Sequence, residues 1–372
     1  MTSEALYLHG FNLLPQLGPT RLKRIYDSIG SWQQAYETST GTLKETGLEP
    51  EIIDIFIKHR EVINLKNEME TMERQGISLL SFLDPNYPRL LLEIEKFPPL
   101  LYVKGSMPSS EELCIAVVGT RKITTYGRIV APELTQPLVD AGAVIVSGLA
   151  HGVDAAVQQV AVKSGKRTIA VLGGGLDEKS LYPKEHVWLA DEIIRCGGAL
   201  LSEHPINTPP LKHHFVARNR IISGMSVATV VVECDLKSGS LITAKFALEQ
   251  NRTVFAVPGP IYGPQSRGPN NLIKMGAKLI TSASDIFDDL NLEHLPEQLE
   301  IQKTFNDSPI ESAVLKFLTM EPMHINDILK QSGLTAGDAL SALTFLEMKG
   351  RVRNLGAQQF VRTRGGKIVG RE

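Results

Sequence analysis

The chain has 372 residues, 42% of them hydrophobic and 22% charged, with a formal net charge of −2. That length allows a substantial core and two or three domains, and near-neutrality means that any polyanion must be met by a local basic patch. The three cysteines, Cys114, Cys196 and Cys234, are scattered and form no CxxC pair. Two lie in apolar strand-like runs and read as buried reduced thiols, so neither zinc nor another metal site is expected. There is no basic–apolar–small leader pattern, and no apolar run reaches the ~20 residues of a membrane span. A cytoplasmic protein without membrane contact is predicted.

In chain order, residues 1–80 read as a helical domain. The run from Leu13 to Ile25 places a glycine turn at Gly18 before an amphipathic helix, a second helix starts near Ser31, and a helical run covers Glu51–Glu73. The pattern resembles helix-hairpin-helix or SAM-like modules, of which the former hold DNA backbone through a glycine turn; a helical docking domain fits the same residues. Asp84-Pro-Asn-Tyr-Pro88 and Phe97-Pro-Pro-Leu-Leu-Tyr-Val103 form a proline-punctuated connector expected to lie extended, because the residue before proline disfavours helix.

From Cys114 to about Thr281, apolar strands alternate with amphipathic helices. Strands are predicted at Cys114–Gly119, Ala143–Gly148, Thr168–Leu172, Ala199–Glu203, Val227–Cys234, Thr253–Pro258 and Lys278–Thr281. The intervening helices begin near Tyr126, Val153, Lys184, His214, Leu241 and Asn270. Non-alternating Val/Ile/Ala strands are buried on both faces, which predicts an α/β fold, a Rossmann-like doubly wound, mostly parallel sheet over residues 81–289. Residues 290–308 are polar and acidic and read as a linker. Residues 309–372 then give three helical segments, Pro309–Met320, His324–Ser332 and Thr335–Gly350, and two short strands turning at Gly356. That is a small winged-helix-like domain, and the low positive charge of its third helix weights it towards protein contact over base reading.

The chemistry gathers at the strand ends. Glycine turns follow three strands, in VGTR (Val118–Arg121), VSGLAHG (Val146–Gly152) and VLGGG (Val171–Gly175). Free amides in such turns hold phosphates. Ligands in these sheets bind beyond the carboxyl ends of the strands, which makes Gly119, Thr120, Arg121, Ser147 and Gly148 candidate contacts. Arg121 suits a bidentate phosphate contact or a tie to a neighbouring carboxylate. The loop is not GxGxxG and no acidic residue follows about twenty positions on, so no dinucleotide cofactor is expected.

Ser147, His151 and Asp154 lie close in sequence without a GxSxG elbow; Asp154 reads as a helix-start carboxylate. Adjacent His213 and His214 diverge on a helix and do not share a metal. In Lys212–Gly224 (KHHFVARNRIISG), helical spacing puts Phe215, Arg218, Asn219 and Ile222 on one side, with Lys212 leading. A lone phenylalanine at this spacing is either core or, among these basic neighbours, a stacking face for a base. Arg218 is expected to face the ligand, and Arg220 to pair with Glu203 or Glu233. Lys237 and Ser238, after the fifth strand, form a fourth anion-friendly loop.

VGTR, SGLAHGVDAAVQ, VLGGGLD, YP, LSEHP, HHFVARNRIISG, VVVECDLKSGSLITA and VPGP…RGPNNLIKMGA, taken in order, resemble the DNA-processing protein A (DprA/Smf) family from about Tyr87 to Asp285. The resemblance implies a non-enzymatic, cofactor-free protein. It would bind single-stranded DNA, protect it and load RecA recombinase onto it in natural transformation, and it would form a homodimer through the Rossmann-like domain. Family binding positions match at Gly119, Arg121, Ser147, Lys212 and Phe215, and less closely at Lys237; Val216 stands where proline is frequent. The rival reading is a phosphoribohydrolase-like nucleotide hydrolase. Its PGGxGTxxE-type glutamate has no counterpart in Ser238–Lys245, where no carboxylate appears before Glu249.

Overall fold

The computed structural model describes residues 3–109, 112–292, 308–319, 322–348, 352–356 and 358–362. Six helices come first: α1 (Ser3–Asn12), α2 (Pro19–Ile29), α3 (Trp32–Glu37), α4 (Thr40–Glu45), α5 (Pro50–Val62) and α6 (Leu65–Arg74). Their starts are written in the sequence. Pro19 and Pro50 stand in the first turns of α2 and α5, and the side chains of Ser31, Ser39 and Asn64 accept backbone N–H bonds at the starts of α3, α4 and α6. The run Glu51–Glu73 is therefore two helices, broken where Asn64 caps the second.

Next come β1 (Ile77–Ser81), the short helix α7 (Arg89–Leu92) and β2 (Leu100–Gly105). The expected domain boundary at residue 80 falls inside β1. The connector ending in Leu-Leu-Tyr-Val is itself a strand, since β2 pairs antiparallel with β1 on one side and with β6 (Ala199–Ser202) on the other.

The remaining strands are β3 (Cys114–Val118), β4 (Val144–Ser147), β5 (Thr168–Val171), β7 (Ala228–Val231), β8 (Thr253–Ala256) and β9 (Lys278–Leu279). Between them lie α8 (Thr125–Asp140), α9 (Val153–Lys163), α10 (Val187–Arg195), α11 (Lys212–Gly224), α12 (Gly239–Glu249) and α13 (Arg267–Lys274), and α14 (Ser284–Asp289) follows. The nine strands run in the order β1-β2-β6-β5-β4-β3-β7-β8-β9, parallel from β6 to β9. Every residue of β3 to β7 is buried, as strands covered on both faces require.

Two cores cover the faces. On one, Leu8, Phe11, Trp32 and Phe56 of the helical segment share a cluster with Tyr102, Leu149, Leu172 and Leu200 of the sheet region. On the other, Leu101 and Val103 join Val118, Val146, Val171, Ile221 and Ile222. The period of two along β2 thus sends alternate side chains to opposite cores. Tyr102 also accepts a 3.3 Å bond from Asn12 Nδ2 and lies 2.7 Å from His9 Nδ1, which fastens α1 to the sheet. Helical segment and sheet accordingly form one unit, Met1–Leu290.

Residues Asn291–Glu372 make the second unit. Helices Pro309–Phe317, Ile325–Ser332 and Ala336–Met348 pack with a three-stranded sheet whose central strand, Gln359–Arg362, lies between Met323–His324 and Val352–Gly356. Ser308 and Glu311 form a reciprocal capping box, and Thr335 Oγ1 accepts from Asp338 N at 3.2 Å. Gly356 takes φ 87° at the hairpin turn, a left-handed value that suits glycine. Val314, Ile328, Leu343, Leu346, Val352 and Phe360 build the core of this winged-helix unit. Most of the expected linker, residues 293–307, lies outside the described residues.

Candidate nucleic-acid interface

The strand order reverses between β3 and β7, and beyond their carboxyl ends lies a groove of about 770 Å³. Four loops build it. After β3, Gly119 lies so close to α9 that a Cβ there would come 2.4 Å from Val153 Cγ2. Thr120 N donates to Glu233 O at 2.6 Å, and Thr120 Oγ1 accepts from Lys122 N at 3.1 Å. This pins the loop and leaves Arg121 and Lys122 exposed along the groove. Glu233 is buried and accepts from Thr124 N and Oγ1 at 3.1 and 2.6 Å, so it holds the start of α8 rather than Arg220.

The loop after β4 forms the floor. Ser147 is fully buried, and its hydroxyl donates to Val117 O at 2.7 Å. Gly148 N donates to Asp154 Oδ2 at 3.1 Å, and Gly148 O accepts from Arg218 Nη1 at 3.0 Å. A Cβ on Gly148 would meet both side chains below 3 Å. Arg218 also donates to Val171 O. Burial pulls its guanidinium down to about 10, against the pull of Asp154, so it stays charged at neutral pH. Burial raises the Asp154 carboxyl, with Arg218 and the backbone donors opposing.

Two expectations are corrected here. The Ser147 hydroxyl is turned into the sheet, and Arg218 borders the groove but is only 3% exposed, because backbone carbonyls beneath the floor already take its donors.

The third wall is the start of α11, close to the turn after β5: a Cβ on Gly173 would lie 3.0 Å from Phe215 Cδ1. Lys212 is exposed and Phe215 half-buried, its ring lining the groove. The Arg121 guanidinium lies 5.3 Å from the ring centroid and that of Arg218 5.9 Å, both within cation–π range. Tyr182, from the β5–α10 loop, stands 5.7 Å from Phe215, ring to ring, with the planes 58° apart.

His214 stacks on His204 at 4.0 Å, and burial lowers His204 to about 4. No group of His, Cys, Asp or Glu among the described residues could hold a metal. Arg220 behaves as its spacing predicts. It donates to both Glu203 oxygens, at 2.8 and 2.6 Å, and to Lys96 O at 2.8 Å.

The fourth loop follows β7. Ser238 caps α12, accepting from Ser240 N at 3.3 Å, while Ser240 Oγ donates to Gly119 O at 2.7 Å and so ties the fourth loop to the first. Lys237 is exposed on the rim. The groove therefore collects four exposed cations, Arg121, Lys122, Lys212 and Lys237, against the lining carboxylates Asp235 and buried Asp154. A chain of net charge −2 thus carries its basic patch at the switch point of its sheet.

Residues 78–291 match the family model of DNA recombination-mediator protein A, and residues 300–358 match that of the DprA winged helix domain. The chain belongs to the DprA family. It is 44% identical over 249 residues to DNA processing protein DprA of Bacillus subtilis, covering 67% of this chain and 81% of that one. With Protein Smf of Escherichia coli it shares 38% identity over 272 residues, 71% and 72% of the two chains.

Among solved DprA structures, that of Streptococcus pneumoniae aligns with TM-score 0.67 and 34% identity, over 77% of this chain and 98% of that one. DNA processing protein A of Helicobacter pylori, whose structure was reported for its single-stranded DNA binding mode, aligns with TM-score 0.51 and 30% identity, over 58% and 96%. No helix among the described residues is long and apolar enough to cross a membrane.

Against this DprA framework, the structure brings Gly119, Thr120, Arg121, Lys212, Phe215 and Lys237 to one groove, with Gly148 beneath it. Sequence reasoning passed over Lys122, Tyr182 and Ser240. For Tyr182 a signal existed in the Tyr-Pro pair after the third glycine loop. Nothing local marked Ser240, whose partner is 121 residues away.

Proposed function

We propose that this DprA-family chain binds single-stranded DNA without regard to sequence, through the groove at the β3–β7 switch point. The observation that carries the reading is Phe215, a half-exposed ring ringed by exposed Arg121, Lys122, Lys212 and Lys237. The exposed cations would take successive phosphates while the ring takes the face of one base, an arrangement that reads no base edge. The binding mode named for the Helicobacter pylori relative supports the same assignment. In this proposal the protein is a cytoplasmic, cofactor-free homodimer. It protects incoming single strands in natural transformation and loads RecA recombinase onto them.

Fluorescence anisotropy with labelled oligo-dT over a salt series tests the binding step. Affinity should fall with salt at a slope of about −0.7 per phosphate neutralised, and duplex of equal length should compete poorly. Absence of binding at low salt would remove the reading. RecA filament assembly on strands precoated with single-strand-binding protein tests loading; no acceleration by the chain would remove that part alone.

The nucleotide-hydrolase alternative needs a carboxylate on the ribose. Glu249 ends α12, pairs with Lys245 at 3.6 Å, and does not line the groove. Release of free base from nucleoside monophosphates would revive that alternative.

A further inference from the structure

We infer that Tyr182 is a second base platform, which takes the nucleotide next to the one on Phe215 and sets the preference of the groove for single strands. The inference rests on the single-strand reading above and assigns a task to a residue that reading does not use. Tyr182 lines the groove, is 44% exposed, and its hydroxyl bonds to no described residue, so a large part of its side chain is open to a ligand. Phe215 has the guanidinium groups of Arg121 and Arg218 within cation–π range, and Tyr182 is the other aromatic side chain that lines the groove among the described residues.

The geometry decides how two rings can be used. A base slotted between two parallel rings needs roughly 7 Å, twice the ~3.4 Å rise of stacked bases. The centroids of Phe215 and Tyr182 are 5.7 Å apart and their planes differ by 58°. They are too close and too tilted to clamp one base, so they work side by side, one base each. Neighbouring bases resting on planes inclined this much are unstacked from each other. A single strand makes that turn freely, whereas a duplex must break stacking and pairing to follow.

The test compares binding of oligo-dT with binding of an abasic strand of equal length, at fixed salt, for wild type, Tyr182→Ala, Tyr182→Leu and Tyr182→Phe. Loss of one stacked base corresponds to a factor of roughly 5 to 150. The dT-to-abasic affinity ratio should fall by that factor in Tyr182→Ala and Tyr182→Leu, with abasic-strand affinity and salt slope unchanged, and should persist in Tyr182→Phe. The leucine variant keeps apolar bulk if alanine disturbs the loop. Competition by duplex should rise in the alanine variant.

A wild-type ratio in Tyr182→Ala would overturn the inference, as would equal loss on both strands, which marks a structural role. Wild type that binds both strands equally would also overturn it while leaving phosphate binding in place. Wild type that binds neither strand would instead remove the single-strand reading itself.

Discussion

Arg218 and Arg220, two residues apart on α11, do different work, and the difference is one of depth. Helical spacing set Arg218 beside Phe215 and Arg220 away from it, and both placements hold. Spacing fixes direction around a helix but not how far a neighbouring loop closes over it. Gly148 lets the β4 loop approach until its carbonyl takes an Arg218 donor, and no local pattern around Arg218 foretells that. Arg220 and Glu203 are a nearly buried bidentate pair. Arg220→Ala should cost about 3 kcal/mol by stranding a carboxylate, read as a drop in denaturant midpoint with DNA binding of the folded protein retained.

Phe215→Ala should weaken oligo-dT binding by about 1–3 kcal/mol with an unchanged salt slope; Lys237→Ala should lower that slope by about 0.7. Both are read by anisotropy across salt. His204 supplies a pH signature. Its folded value, about 4, lies below the ordinary 6.5, so between those limits the unfolded chain binds a proton that the folded one does not. Stability is then fully present above pH 6.5 and falls as pH drops towards 4. His204→Gln should flatten that part of a denaturation-versus-pH curve. Glu203, held below the ordinary carboxylate value against its burial by Arg220, adds its own loss at lower pH.

At the scale of elements, the strands from Cys114 onward were legible because continuous apolar runs between helical stretches leave few alternatives, except β9, which is two exposed residues, Lys278 and Leu279, at the sheet edge. The two antiparallel strands were not. β1 follows directly on a helix and is five residues long, and β2 hides behind Phe97-Pro-Pro. What makes β2 a strand is its partner β6, about a hundred positions on, as in the pair Tyr102–Ser202. Non-local pairing of this kind overrides local preference. The glycine loops were legible as turns at the strand ends, but their task of letting elements touch emerges only in three dimensions. Gly119→Val should push the Val153 end of α9 away and lift the β3 loop. The expected result is a loss of single-strand binding larger than that of Lys237→Ala, with far-ultraviolet circular dichroism close to wild type.

At the scale of the whole molecule, the groove belongs entirely to the first unit, and the winged-helix unit has its own core. A chain ending at Leu290 should fold and bind oligo-dT with the affinity and salt slope of the full protein, measured side by side. A marked loss would place part of the DNA site in the second unit. The helical segment is a different matter. Its reading as a separate domain came from the end of the helical pattern and the proline-punctuated connector after it, which mark a change of secondary structure and not the limit of a core.

Leu149 makes that concrete. It sits in the floor loop with φ 57°, a left-handed backbone that a leucine seldom adopts, and its side chain is wholly enclosed in the core that holds Leu8, Phe11 and Trp32. Its neighbour Gly148 carries the carbonyl that Arg218 grips beneath Phe215. The core that the amino-terminal helices share with the sheet therefore reaches the turn beneath the groove. A residue swapped there, far from any nucleotide, would be felt as a change in the shape of the cradle rather than in its charge.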